Sequence, residues 1–132
     1  MATKTNIKVR GYHLDAYLHV NNARYLEFME VARWDYLDSI KAKDFFSENK
    51  LAFIIVNINI SYKYPLTQGQ EVEITTEASK KGNTSWIFNQ IGRISGTDKT
   101  VFEAVVTFVI VDSKTGKPIK VSPEMEAKLL PS

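Results

Sequence analysis

Residues 22–41, NARYLEFMEVARWDYLDSIK, contain neither Pro nor Gly and are rich in Ala, Leu, Met, Glu and Arg. That composition makes them the one long helical segment of the chain. Tyr25, Phe28, Met29, Ala32, Tyr36 and Ile40 recur at three- and four-residue steps, the spacing that lines one side of a helix. Leu26, Trp34 and Leu37 widen the stripe beyond one face, so the helix is expected to be wrapped on most sides. Asn21 or Asn22 stands where a side-chain oxygen caps a helix start. Glu30 and Arg33, three residues apart, are expected to form an ion pair along the helix.

Working outward, a polar stretch from Lys43 to Lys50 ends the helical period. From Phe53 to Tyr64 the period becomes two: Ile54, Val56, Ile58, Ile60 and Tyr62 alternate with Asn57, Asn59, Ser61 and Lys63, which reads as a strand. Pro65 and Gly69 punctuate the chain. Val72, Ile74 and Thr76 then alternate with Glu71, Glu73 and Thr75. Turns at Lys81-Gly82-Asn83 and Gly96-Thr97-Asp98 separate further strands over Ser85–Ile94 and Val101–Val111. Trp86 and Phe88 share one face of their strand and Ile87 takes the other. A short helix is expected near Pro123–Leu129, with Ser122 as its cap and Pro123 in its first turn. On the N-terminal side, Ile7 to Tyr12 reads as a first strand and His13 to Val20 as a loop.

The order is therefore strand, long helix, then four strands joined by short turns. Consecutive strands with short turns form an antiparallel sheet. The fold class is α+β, with about five strands curled around one long helix, in a single domain spanning residues 1–132. The sheet's free edges call for a partner, so at least a dimer is expected.

The composition narrows the function. Seventeen basic and fifteen acidic residues leave a net charge of +2, too balanced for a nucleic-acid-binding protein. The chain has no cysteine, which removes disulfides, thiolate metal sites and a cysteine nucleophile. The polar start, Met1 to Asn6, does not resemble a signal peptide. The apolar run from Ala104 to Val111 is far too short to span a bilayer. A cytoplasmic protein without membrane contact is expected.

The chemistry concentrates between Tyr12 and Tyr25. Asp15, His19, Asn21 and Asn22 crowd into one loop just before the long helix. The free N–H groups of a helix start carry partial positive charge and stabilise an oxyanion formed on a nearby carbonyl. A carboxylate beside that carbonyl serves as general base to water or attacks directly. Those parts suffice for acyl transfer to water with no metal and no cofactor.

Asp15, His19-Val20-Asn21-Asn22, Tyr25 and Glu30-Val31-Ala32-Arg33 resemble the signature of hotdog-fold thioesterases, nearest to the 4-hydroxybenzoyl-CoA thioesterase-like acyl-CoA thioesterases. Tyr62-Lys63-Tyr64-Pro65-Leu66 to Gly69-Gln70-Glu71-Val72 is similar to a second stretch of the family. The resemblance implies a hotdog fold, a homodimer or homotetramer, and an active site at the subunit interface. It implies Asp15 as the catalytic carboxylate and, by likeness to the plant acyl carrier protein thioesterases, His19 as a further member of the site. Four positions depart from the family pattern. His13 stands where a second Asp is frequent. Leu18 replaces the usual Gly before the His, which predicts a loop of different shape. Tyr17 replaces the plant enzymes' Asn, and their downstream acid falls near Pro65.

The expected function is hydrolysis of an acyl-CoA to free acid and CoA. Asp15 acts as base or nucleophile, and the backbone N–H of Asn22 or Ala23 polarises the carbonyl. His19 either shares the proton traffic or only holds the loop. Asn21, Asn22, Ala23 and Tyr25 are candidates to contact substrate. Tyr25, Met29, Phe53 and Ile55 are expected to line an acyl pocket. Lys63, Lys80, Lys81 and Arg93 are candidates to meet the phosphates of CoA, Lys63 and Lys81 foremost. The alternatives are an acyl carrier protein thioesterase, a related dehydratase or hydratase, and a non-catalytic acyl-thioester binder.

Overall fold

The computed structural model describes residues 1–131. Its elements are β1 (Ala2–Lys8), a 3-10 turn (Gly11–His13), α1 (Asn22–Ser39), α2 (Ala42–Glu48), β2 (Leu51–Tyr62), β3 (Glu71–Lys80), β4 (Ser85–Ile94), β5 (Thr100–Asp112) and α3 (Pro123–Leu129). The five strands form one sheet in the order β1-β3-β4-β5-β2, with every neighbouring pair antiparallel. The sheet curls around α1, the hotdog arrangement implied by the sequence.

Tyr25, Phe28, Met29, Ala32, Tyr36 and Leu37 of α1 are buried against the inner face. Opposite them stand Val72 and Ile74 of β3, Trp86 and Phe88 of β4, and Phe102, Val106, Phe108 and Ile110 of β5. Phe88 and Phe108 stack with ring centroids 4.5 Å apart. Each such side chain, fully buried, contributes about 1.5–3 kcal/mol. Gly92 pairs with Phe102, and a Cβ at Gly92 would lie 2.3 Å from that ring. The glycine therefore makes room for the ring to lie across the neighbouring strand. At the C-terminal end, Ser122 accepts from the Met125 N–H to cap α3, and the Tyr36 hydroxyl donates to the Leu129 carbonyl. Among the described residues no helix is long and apolar enough to cross a membrane.

Several expectations need correcting. The first strand is Ala2–Lys8, not Ile7–Tyr12. Its inward positions are Thr3, Thr5 and Ile7, and the buried Thr5 hydroxyl donates to Asp35 of α1. Two inward β-branched threonines, of which only Thr5 finds a hydrogen-bond partner among the described residues, give a strand that hydropathy alone misses. Residues 42–48 form a helix, read from sequence as a polar stretch, because Phe45 and Phe46 pack on the core while Lys43, Asp44 and Glu48 face water. α1 stops at Ser39, with Lys41 in the left-handed region at φ 56°. Its apolar stripe is also narrower than expected, since Trp34 is half exposed.

β2 does not follow a single alternation. The register shifts between Ile55 and Asn57, so one extra residue turns the strand over. Phe53 and Ile55 face inward before this bulge, and Ile58 and Ile60 after it, paired with inward residues of β5. Ile54 and Val56, assigned by simple alternation to the same face as Ile58, stand outside at 47% and 55% exposure. Nor is β2 beside β3: it takes the edge next to β5, so the connection over 63–70 crosses between opposite parts of the sheet.

The expected ion pair between Glu30 and Arg33 does not form either. Arg33 is buried at 5% exposure, and its guanidinium donates to the Gln90 side-chain oxygen at 3.2 Å. Gln90 in turn donates to the Met29 carbonyl at 3.0 Å and the Thr76 hydroxyl at 3.1 Å. The long side chain reaches a polar pair under the sheet instead of a carboxylate on its own helix.

Candidate active site

The loop before α1 is built by backbone pairing. Leu14 and Val20 form an antiparallel bridge, the Val20 N–H donates to the Leu66 carbonyl, and the Asn21 N–H donates to the His13 carbonyl. Inside this frame Asp15 Oδ1 accepts the N–H of Tyr17 at 2.8 Å and of His19 at 3.3 Å. One carboxylate oxygen thus closes the turn, and Oδ2 has no partner among the described residues. A small Asx-type turn of this kind fixes where the carboxylate stands.

Leu18, which stands where the family pattern has Gly, adopts a left-handed conformation that glycine favours, with φ 62°. A left-handed residue with a Cβ costs roughly 1–2 kcal/mol. The bridge and the two N–H bonds to Asp15 hold it there, and its side chain points to solvent.

Asn21 caps α1: its side-chain oxygen accepts the Ala23 N–H at 2.9 Å, and its carbonyl accepts the Arg24 N–H. Ala23 therefore spends its N–H on the cap. The N–H of Asn22 has no partner among the described residues and lies at the positive end of the helix.

Asp15, His19, Asn22 and Tyr25 line one open cleft of about 250 Å³ together with Lys63. Val20, Tyr62, Tyr64 and Pro65 complete it. Of the sequence candidates, Asn21 and Ala23 lie beside the cleft as cap and capped residue. Lys81 sits on the turn after β3, at the end of the sheet opposite Lys63. Phe53 and Ile55 line a separate crevice with Arg33 and Trp34, and Met29 is sealed in the core. The four proposed acyl-pocket residues thus do not share one cavity within the chain.

Tyr25 is both core and wall. Its ring is buried, meets Tyr62 at 5.3 Å, and its hydroxyl accepts the Leu66 N–H at 3.2 Å. Burial raises its hydroxyl pKa above the ordinary value. Tyr62 donates to the Asn22 carbonyl at 3.3 Å and bridges the end of β2 to the start of α1. Tyr62, Tyr64 and Pro65 carried no site assignment from sequence. The run of two tyrosines and a lysine into a proline at a strand's end was the available signal.

His13, which replaces the family's frequent second Asp, turns away from the cleft. It is buried, its Nδ1 accepts the Arg10 N–H at 2.9 Å, and its ring meets Phe28 edge-on at 4.9 Å. Burial, with the nearby Arg24, lowers its pKa below the ordinary value and favours the neutral ring that this hydrogen bond requires. Among the described residues no three His, Asp or Glu side chains group as a metal set.

The arrangement presents one free carboxylate oxygen, one free N–H at a helix start, a histidine and a lysine around a space large enough for a reacting carbonyl and a water. Comparison with known proteins agrees with this chemistry. The sequence model of the thioesterase-like superfamily matches residues 9–129. Long-chain acyl-CoA thioesterase FadM of Escherichia coli (strain K12) is 42% identical over 126 residues, covering 96% of both chains. Acyl-CoA thioesterase YbgC of Haemophilus influenzae is 29% identical over 123 residues, covering 90% of this chain and 89% of that one. The crystal structure of YbaW, a probable thioesterase from Escherichia coli, superposes with a TM-score of 0.90 at 42% identity, over 96% of this chain and 95% of that one.

Proposed function

The chain belongs to the thioesterase-like superfamily, and from that premise we propose that it hydrolyses acyl-CoA thioesters to the free acid and CoA, with Asp15 as the catalytic carboxylate. The observation that carries this reading is the free Oδ2 of Asp15 in the same cleft as Asn22, whose N–H is unpaired. The thioester carbonyl sits with its oxygen toward the Asn22 N–H. Asp15 takes a proton from water as its oxygen bonds to the carbonyl carbon. The tetrahedral oxyanion is stabilised at the helix start. When it collapses the C–S bond breaks, the CoA thiolate leaves, and the proton held by Asp15 returns to it. His19 orients the water, and Tyr25 and Lys63 bound the space around the thioester. Direct attack by the same Asp15 oxygen reaches the same products through an anhydride.

A thiol-release assay against acyl-CoAs from acetyl to palmitoyl, with benzoyl and phenylacetyl esters, tests the reaction. The expected result is turnover that peaks at one acyl class. Turnover confined to acyl carrier protein esters would shift the substrate, and none on any thioester by the folded protein would leave a binding module.

The free edge of β2, with Ile54 and Val56 exposed beside it on the outer face, supports a second copy along that edge. Such a copy covers apolar surface and unpaired strand groups at once. It also places the partner against the crevice at Phe53 and Ile55, where an acyl chain needs a wall. Sedimentation equilibrium is expected to give two or four times the monomer mass, and a monomer at micromolar concentration would remove this part of the reading. We take residues 1–132 as one domain working in this way in the cytoplasm.

A further inference from the structure

We propose that the pocket between the end of β1, the 3-10 turn and α1 binds the nucleotide end of the CoA thioester, an adenosine diphosphate bearing a further ribose phosphate. This rests on the acyl-CoA reading above and extends it to a second surface. The pocket, of about 490 Å³, is lined by Lys8, Arg10, Tyr12, His13, Arg24 and Glu27, among others. Ligand clefts commonly measure about 300–1,000 Å³.

Its charge is one-sided. The single carboxylate, Glu27, is already paired with Arg24 at 3.0 Å. Lys8 and Arg10 have no carboxylate within salt-bridge distance among the described residues. Unneutralised cations gathered in a concavity are the chemistry that receives phosphates.

Tyr12 supplies the second half of the site. It is 71% exposed, yet it is held in place, with its ring centroid 4.2 Å from that of His13 and the Arg24 guanidinium 6.0 Å from its own. An exposed, fixed aromatic face beside cations suits stacking of a purine on it. The cleft at Asp15 is poorer in cations: Lys63 is its one lysine or arginine, and the ring of its Tyr64 already carries the Lys99 ammonium at 4.4 Å. Tyr12 and Arg24 flank the Asp15 loop in sequence, and the Arg24 guanidinium donates to the Tyr12 carbonyl. The pocket and the cleft thus share one loop, and the flexible pantetheine arm joins their two occupants.

The test compares two substrates, the best acyl-CoA found and the same acyl group on pantetheine, which lacks the nucleotide. The double variant Lys8→Ala/Arg10→Ala is expected to raise KM for the acyl-CoA about tenfold or more, with kinetics on the acyl-pantetheine unmoved. Adenosine 3′,5′-bisphosphate is expected to inhibit the native protein competitively against acyl-CoA and to do so weakly in the variant. Tyr12→Ala, which removes only the stacking face, is expected to raise the same KM. Equal KM changes on both substrates, or equal handling of both by the native protein, would overturn the pocket's role and leave the thioesterase intact. Noncompetitive inhibition would make it the site of a separate nucleotide and equally overturn the inference. Turnover of neither substrate, with no binding of the bisphosphate, would overturn the inference together with the acyl-CoA reading.

Discussion

Asp15→Asn is expected to lower turnover of an acyl-CoA by about 10²–10⁴-fold, the range for loss of a positioned general base, while Tm stays nearly unchanged. The substitution separates chemistry from architecture. Oδ1 of Asp15 holds the loop by accepting two backbone N–H groups, and the amide oxygen of an asparagine accepts the same two with the same geometry. What disappears is the negative charge of the carboxylate, whose other oxygen has no hydrogen-bond partner among the described residues. Asp15→Ala removes both functions and is expected to be equally inactive but less stable. Steady-state kinetics and thermal melts of the two variants read the difference. Retention of more than a tenth of native kcat by the asparagine variant would remove Asp15 from the chemistry. Mass spectrometry of the protein after one turnover in H₂¹⁸O then distinguishes the two routes, since label enters the Asp15 carboxylate only if it attacks the carbonyl itself.

The largest effect on stability is expected from Gln90→Leu. Gln90 is fully buried, accepts from the Arg33 guanidinium and donates to the Met29 carbonyl and the Thr76 hydroxyl. A leucine fills similar space but leaves a buried cation without its acceptor and a buried hydroxyl without its donor. Stranding such groups costs about 3–5 kcal/mol, or roughly 10–20 °C in Tm for a domain of this size. The double variant Arg33→Met/Gln90→Leu removes the stranded charge as well and is expected to recover most of the loss. Urea unfolding of the two single variants and the double closes the cycle. A Gln90→Leu loss below about 1 kcal/mol, within the ordinary range for one neutral hydrogen bond, would show that water solvates Arg33 instead. Burial lowers the Arg33 pKa, opposed by the charge of Glu30. The guanidinium still stays charged across the physiological range, so its buried contact has to be satisfied by a dipole.

How much was legible depended on whether a signal was local. The span Ser85–Ile94 matches β4 residue for residue because turns at Lys81-Gly82-Asn83 and Gly96-Thr97-Asp98 bound it on each side. Pro123–Leu129 matches α3 for the same reason, with a serine cap and a proline each in its expected place. The loop carrying Asp15 was visible because four polar or capping residues, Asp15, His19, Asn21 and Asn22, cluster just before or at a helix start. β1 escapes the sequence pattern because two of its three inward residues are threonines, and Thr5 finds its partner in Asp35, thirty positions away. The face of Ile54 and Val56 was misread because a bulge is specified by pairing with β5 and leaves alternation unmarked in the strand itself.

The sequence by itself determined the long apolar helix, the strands from β3 to β5, α3, the α+β class and the candidate site segment, because helix period, strand period, turns and caps are set by residues within a few positions of one another. Only the tertiary structure decided that β2 lies beside β5, that Tyr62, Tyr64 and Pro65 meet Asp15 in one cleft, that Arg33 reaches Gln90 rather than Glu30, and that Lys8, Arg10 and Arg24 surround one pocket. Those facts depend on which distant segments the curled sheet brings together. That choice is made by the summed burial of the core and not by any local pattern.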